Sequence, residues 1–389
     1  MSKSEMYLAS KPRYEILDGL RGVAAMIVVA FHLFETYSPG PMYQILNHGY
    51  LAVDFFFVLS GFVVGYAYDD RWNKMSLWDF FKRRLVRLHP MLIMGTLIGA
   101  ILFYFSDAPI FNLVMQTPCW KMLLITLLGC LMIPTPPSMD IRGWSEMNSL
   151  NGASWSLTWE YIANLLYALV IRRFSNVLLY VFVLLSAFLT VDVALNLDVF
   201  GLLDVRDYAK YTVIGGFGLS SDQLYIGLAR LLYPFFVGLL ISRLGKYIKV
   251  QAGFWWCSLL ITMILVVPHI GGEAYRWADG VYNVVAILVL FPLIVMMGAG
   301  SRVSGARSVR ICNFLGEISY PLYITHYPWI YVHMKWVADH KDAPIGTHIC
   351  VAVGLYILVV AIAYACLKLY DTPVREWLRR RFLAIGTRR

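Results

Sequence analysis

An arginine and a histidine inside apolar sequence need a reason to be there. The stretch LDGLRGVAAMIVVAFHLF carries both, Arg21 and, eleven residues on, His32. In a helix, eleven steps of about 100° end about 20° past three full turns. The two side chains therefore share one face, about 16 Å apart along the axis. Arginine is a fixed cation suited to phosphate. Imidazole is the side chain best placed to trade a proton near neutral pH. A nucleotide-bearing thioester suits this spacing, with phosphates at Arg21 and an extended arm reaching toward His32. The plainer alternatives are an arginine snorkelling to lipid headgroups and a satisfied core histidine.

Other polar groups stand in similar settings. Glu160 lies in NGASWSLTWEYIANLLY, about five residues into an apolar block. A carboxylate beside an imidazole orients it and raises its basicity, so Glu160 is expected beside His32; the alternative is that it pairs with an arginine or caps a helix. GEISYPLYITHYPW brings Ser319, Tyr320 and His326 together with two helix-interrupting prolines, Pro321 and Pro328. Prolines at such a depth free backbone groups to line a cavity. Asp54 sits just inside the block LAVDFFFVLSGF, and Arg83, Arg84 and Arg87 form a basic RRLVR stretch before another. That stretch is either a topology determinant or a phosphate site.

The elements that position these groups are membrane spans. Of 389 residues, 59% are hydrophobic and 15% charged, and the mean hydropathy is +0.63. A soluble domain is about 45–50% apolar and about 25% charged. The excess falls in blocks near the roughly 20 residues a crossing takes. Ten are predicted, over 18–37, 50–68, 90–106, 155–171, 176–192, 227–242, 253–269, 281–299, 313–337 and 347–368. The fold class expected is all-α, a polytopic helical bundle forming a single membrane domain over 1–389, with its core at about 13–370. The block 121–133 is too short for a span and is expected to be a re-entrant or interfacial helix.

Charge supports that count. With ten spans and the N-terminus inside, inside segments hold 23 Lys and Arg and outside segments hold 6. Basic residues gather on the cytoplasmic side, so both termini are expected there, in the cytoplasmic membrane. An eleventh span would place most of that charge outside. Two long segments, 107–154 and 193–226, then face outward, where loops of such length line sites or merely connect. The net charge of +9 is assigned to topology and to contact with anionic membrane lipid rather than to nucleic acid. The six cysteines are scattered and form no CxxC pair, which argues against a disulfide framework or a metal site.

With these residues in place, the chain resembles the acyltransferase 3 family. The resemblance rests on Arg21 and His32 in the first helix, Ala52-Val53-Asp54 through Phe62 in the second, and Arg83, Arg84, Arg87 and Pro90 before the third. Trp155, Ser156, Leu157 and Glu160 in a WSLxxE phrase and Ser319 to His326 near the end complete it. It covers about residues 13–370. It implies transfer of an acyl group, usually acetyl from acetyl-CoA or another acyl-CoA, to a carbohydrate or glycolipid hydroxyl. It further implies catalytic roles for His32 and Glu160, donor binding by Arg21, Arg83, Arg84 and Arg87, and acceptor-side roles for Asp54, Trp155, Ser156, Tyr320 and His326. No metal is expected.

The sequence departs from the pattern where Tyr161 follows Glu160 in place of a second acid, and where His89 replaces a common aromatic. No soluble domain is expected after the last span, which leaves room for a homo-oligomer or a glycan-assembly partner. A transporter or flippase using the same charges as a proton relay is the competing class. An acyl-dependent sensor or assembly factor on the same fold is the other.

Overall fold

The computed structural model describes residues 11–40, 43–104, 109–203, 206–272 and 274–383. It is all-helical, with no strand among the described residues. The elements that matter are α1 (Glu15–Glu35), α2 (Ala52–Tyr68), α3 (Leu77–Tyr104), α4 (Cys119–Cys130), α5 (Ser154–Leu169) and α6 (Asn176–Leu195). They continue with α7 (Ser221–Leu244), α8 (Gly253–Val266), α9 (Trp277–Gly300), α10 (Ala306–Thr325), α11 (Tyr327–Asp339) and α12 (Ile345–Leu383).

Seven of these are long and apolar enough to cross a bilayer: α1, α2 with its leading turn, α3, α6, α7, α9 and α12. That is fewer than the ten expected. The three predicted spans at 155–171, 253–269 and 313–337 account for the difference. At 16 and 14 residues, α5 and α8 fall short of the roughly 20 a crossing needs. The third is broken at His326 between α10 and α11, and α10 carries Arg307, Arg310 and Glu317. The 121–133 block forms α4, a 12-residue helix about 18 Å long, which cannot cross a hydrocarbon core of about 30 Å.

Small residues set the helix crossings. The most extensive contacts are α2 on α7 and α1 on α10. A side chain at Gly61 would run into the Phe235 carbonyl, and one at Gly238 into the Val58 carbonyl. One at Gly22 would strike the backbone of Leu315. Backbones that approach this closely give van der Waals packing where lipid removes the hydrophobic drive between helices. α1 thus lies against α10, with α8 on a further side. Its buried residues Leu20, Ala24 and Val28 join one core with Phe55, Phe62 and Phe291.

Proline chemistry shapes the bend at His326. Pro328, with no N–H, leaves the carbonyl of Ile324 without its helical donor. The Asn151 side-chain amide fills the gap, donating to Ile324 O at 2.7 Å. The segment before α5 is thereby pinned to the α10–α11 junction.

Candidate active site

At one end of α1 stands His32, its Nδ1 2.7 Å from Glu35 Oε2. A carboxylate only accepts, so Nδ1 carries the proton and Nε2 is left with its lone pair. The expected partner was Glu160; the partner found is Glu35, three residues on and on the same helical face. The ring of His32 stacks on that of His326, with centroids 5.4 Å apart and planes 29° apart. It meets Tyr327 edge-on at 4.6 Å.

His326 is fully buried, and its Nδ1 lies 2.8 Å from Tyr323 O and 3.2 Å from Leu322 O. Carbonyls also only accept, so His326 presents a bare Nε2, and that atom has no partner. Two imidazoles thus stand face to face with their Nδ1 protons tied down.

Ser156 belongs to the shell of this pair. Its hydroxyl lies 2.7 Å from the Tyr323 hydroxyl, joining α5 to α10 beneath His326. Tyr320 faces the other way and donates to Leu88 O at 2.5 Å.

Glu160 sits one turn along α5 from Ser156, where Arg84 donates to it at 2.6 Å and Ser60 at 3.2 Å. Its expected depth beside His32 is therefore corrected. Arg84 lies seven residues into α3 and Ser60 eight residues into α2, so the pair meets well inside the bundle. Arg21 is held by Asp18 at 3.2 Å. Arg87 is exposed and lies within electrostatic reach of both Arg21 and Arg84, with Asp18 opposing. Arg83 Nε is buried without a partner. The four arginines of the sequence reading therefore gather at one end of the bundle, and His32 with His326 at the other.

Asp54 and Trp155, given acceptor-side roles by the resemblance, both meet Arg230. Asp54 is fully buried, and both its oxygens are taken by Arg230, at 3.2 and 2.7 Å. Arg230 also donates to Tyr50 O and Gly215 O, and its guanidinium lies over the Trp155 ring at 5.0 Å. The Gly-rich stretch of the 193–226 segment is clamped by the same contacts. Gly216, at φ +94°, brings its backbone against Trp155 where a side chain would collide with Gly227. Its carbonyl accepts from Trp159 Nε1 at 2.8 Å.

Four residues near His32 escaped the sequence reading: Glu35, Tyr327, Tyr331 and Glu146. The Tyr331 ring lies 4.7 Å from that of Tyr327, and its hydroxyl donates to Glu146 at 3.4 Å. Burial pushes the Glu146 carboxyl up to about 7, against the opposing pull of Arg142.

The family model for the acyltransferase domain, acyltransferase 3, matches residues 14–368. The chain belongs to the acyltransferase 3 family. It is a membrane acyltransferase, which answers the transporter alternative. Protein 2 in picA locus of Rhizobium radiobacter is 31% identical over 163 residues, covering 40% of this chain and 81% of its own length. O-acetyltransferase OatA of Staphylococcus aureus is 25% identical over 389 residues, covering 94% of this chain. This acyltransferase spans 58% of the length of OatA. No solved structure matches the chain.

Proposed function

We propose that this protein is an O-acetyltransferase of the cytoplasmic membrane, moving acetyl from acetyl-CoA, or acyl from a related thioester, to a hydroxyl of a surface or lipid-linked carbohydrate. The name of OatA supports O-acetyl transfer. Lys11 and Arg13 before α1, and Arg71, Lys74 and Lys82 between α2 and the arginines of α3, support an arginine end toward the cytoplasm and a histidine end outward. Arg21 and Arg87 suit the donor's phosphates, with Arg83 and Arg84 beside them. An extended thioester arm along α1 would bring its carbonyl to the imidazole.

The observation that carries the reading is the contact of His32 Nδ1 with Glu35 Oε2 at 2.7 Å. The Nδ1–H is fixed by Glu35, so Nε2 is free to take the proton of an acceptor hydroxyl as the oxygen attacks the thioester carbon. Collapse of the tetrahedral adduct breaks the C–S bond and expels the thiolate. The imidazolium returns its proton to that sulfur, leaving an ester and a free thiol. Glu35 stabilises the imidazolium between the two transfers.

The test is His32→Ala in the full-length protein, assayed for transfer of labelled acetyl to host surface glycan alongside binding of acetyl-CoA. Binding should persist while transfer falls by about 10²–10⁴-fold, the usual worth of a positioned base. Retained transfer would sink the catalytic role.

A further inference from the structure

The segment before α5 brings to the histidine end a buried cation that no carboxylate contacts directly among the described residues, though Glu146 and Asp140 lie within electrostatic reach. Arg142 is 2% exposed. Its Nε donates to Ser149 O, but both terminal nitrogens are buried without a partner. The guanidinium lies over the Tyr331 ring, 3.0 Å from the centroid, with the rings of Phe103 and Phe111 at 4.1 and 5.2 Å. No ion pair to it forms among the described residues. Burial of a cation is costly unless a counter-charge and hydrogen bonds complete it. Ring faces supply attraction, yet they do not satisfy four N–H donors.

The surroundings say where a counter-charge would enter. Tyr331 under the guanidinium touches Tyr327, and Tyr327 touches His32. Glu146 is bonded to Tyr331 and remains partly exposed, and Asp140 accepts from the backbone N–H of Arg142 rather than from its guanidinium. Two aromatic rings separate Arg142 from the imidazole, so it cannot serve the reacting carbonyl. It stands instead where a neighbouring part of a bound acceptor would lie. A flat guanidinium with two free edge nitrogens matches a carboxylate or phosphate in bidentate fashion.

We propose that Arg142, backed by Tyr331 and Glu146, is an acceptor subsite that selects a saccharide bearing an acidic group, a carboxylate or a phosphate, next to the hydroxyl to be acylated. This rests on the acyltransferase reading above, but its test does not need turnover.

The experiment measures thermal unfolding of the purified full-length protein in zwitterionic lipid nanodiscs with glucuronate, glucose 1-phosphate or glucose, each at matched ionic strength. Either acidic sugar should raise the melting temperature where glucose does not. Arg142→Gln should abolish that difference, while Arg142→Lys, which keeps the buried charge, should weaken it at least fivefold in half-saturating concentration. Acetyl-CoA binding should be unchanged in both variants, which shows that they are folded. Equal response to glucose and the acidic sugars, or a response that survives Arg142→Gln, overturns the proposal. A response obtained with anionic-lipid nanodiscs alone, without sugar, assigns Arg142 to a lipid headgroup and overturns it equally. Loss of transfer in His32→Ala leaves these readouts untouched, so failure here is distinct from failure of the catalytic reading.

Discussion

At the scale of single residues, Glu35 holds the imidazole of His32 from one turn away on the same helix, 2.7 Å from its Nδ1. Glu35 was in plain view, at the i,i+3 spacing that makes helical neighbours. Glu160 drew attention because it stands inside an apolar block, yet arginine is the stronger claimant for a carboxylate there, and Arg84 holds it. Glu35→Gln keeps a hydrogen-bond acceptor for Nδ1 and removes the charge that steadies the imidazolium. Because Glu35 is 38% exposed at its side chain, screening limits the effect. Steady-state kinetics should show kcat down by about 10–100-fold with KM for the donor unchanged, less than a buried triad carboxylate gives. A change in KM alone would place Glu35 in donor binding. Glu146 makes a second prediction. Its carboxyl, raised to about 7 by burial, binds its proton more tightly folded than unfolded. The native state therefore holds more protons between about pH 4.5 and 7, and the stability from this group, full at the acid end of that window, is lost as pH rises through it. Unfolding midpoints from pH 5 to 8 should show wild type losing on the order of 2 kcal/mol that Glu146→Gln keeps. Parallel curves would contradict the shift.

At the scale of elements, helices with a continuous apolar run were legible and those shaped by contacts were not. α1, α2, α7 and α9 follow from composition alone. The contact at the break near His326 was hidden: Asn151 takes the carbonyl that Pro328 frees, across 173 residues that no local pattern bridges. The role of Asp54 was hidden in the same way, since Arg230 lies 176 residues away. The α2–α7 crossing turns that pair into a prediction. Arg230→Met strands a buried carboxylate and should cost about 3–5 kcal/mol, while Asp54→Leu combined with Arg230→Met should recover much of it. Thermal unfolding in detergent measures both. If Asp54 instead contacts acceptor, the double variant would be stable but inactive; as scaffold, it regains activity in step with its folded fraction.

At the scale of the whole molecule, charge and chemistry divide the protein into two ends. The arginines of α1 and α3, Arg84 with its partner Glu160 among them, gather at one, and the two imidazoles with Glu35 and Glu146 at the other. A donor made in the cytoplasm and an acceptor assembled at the surface would each reach the end built for it. This polarity depends on the orientation inferred from basic residues, because a bundle read in reverse would offer its arginine end to the outside. Single cysteines settle the direction. In a variant lacking the six native cysteines, Ser38→Cys marks the histidine end, just past α1, and Ser304→Cys marks the connector between α9 and α10, beside Arg302 and Arg307. A membrane-impermeant maleimide added to intact cells should label the cysteine at 38 and reach the one at 304 only after permeabilisation. The opposite pattern would put the imidazoles on the cytoplasmic side. Acetyl-CoA would then meet His32 without crossing anything, and the track along α1 would lose its purpose.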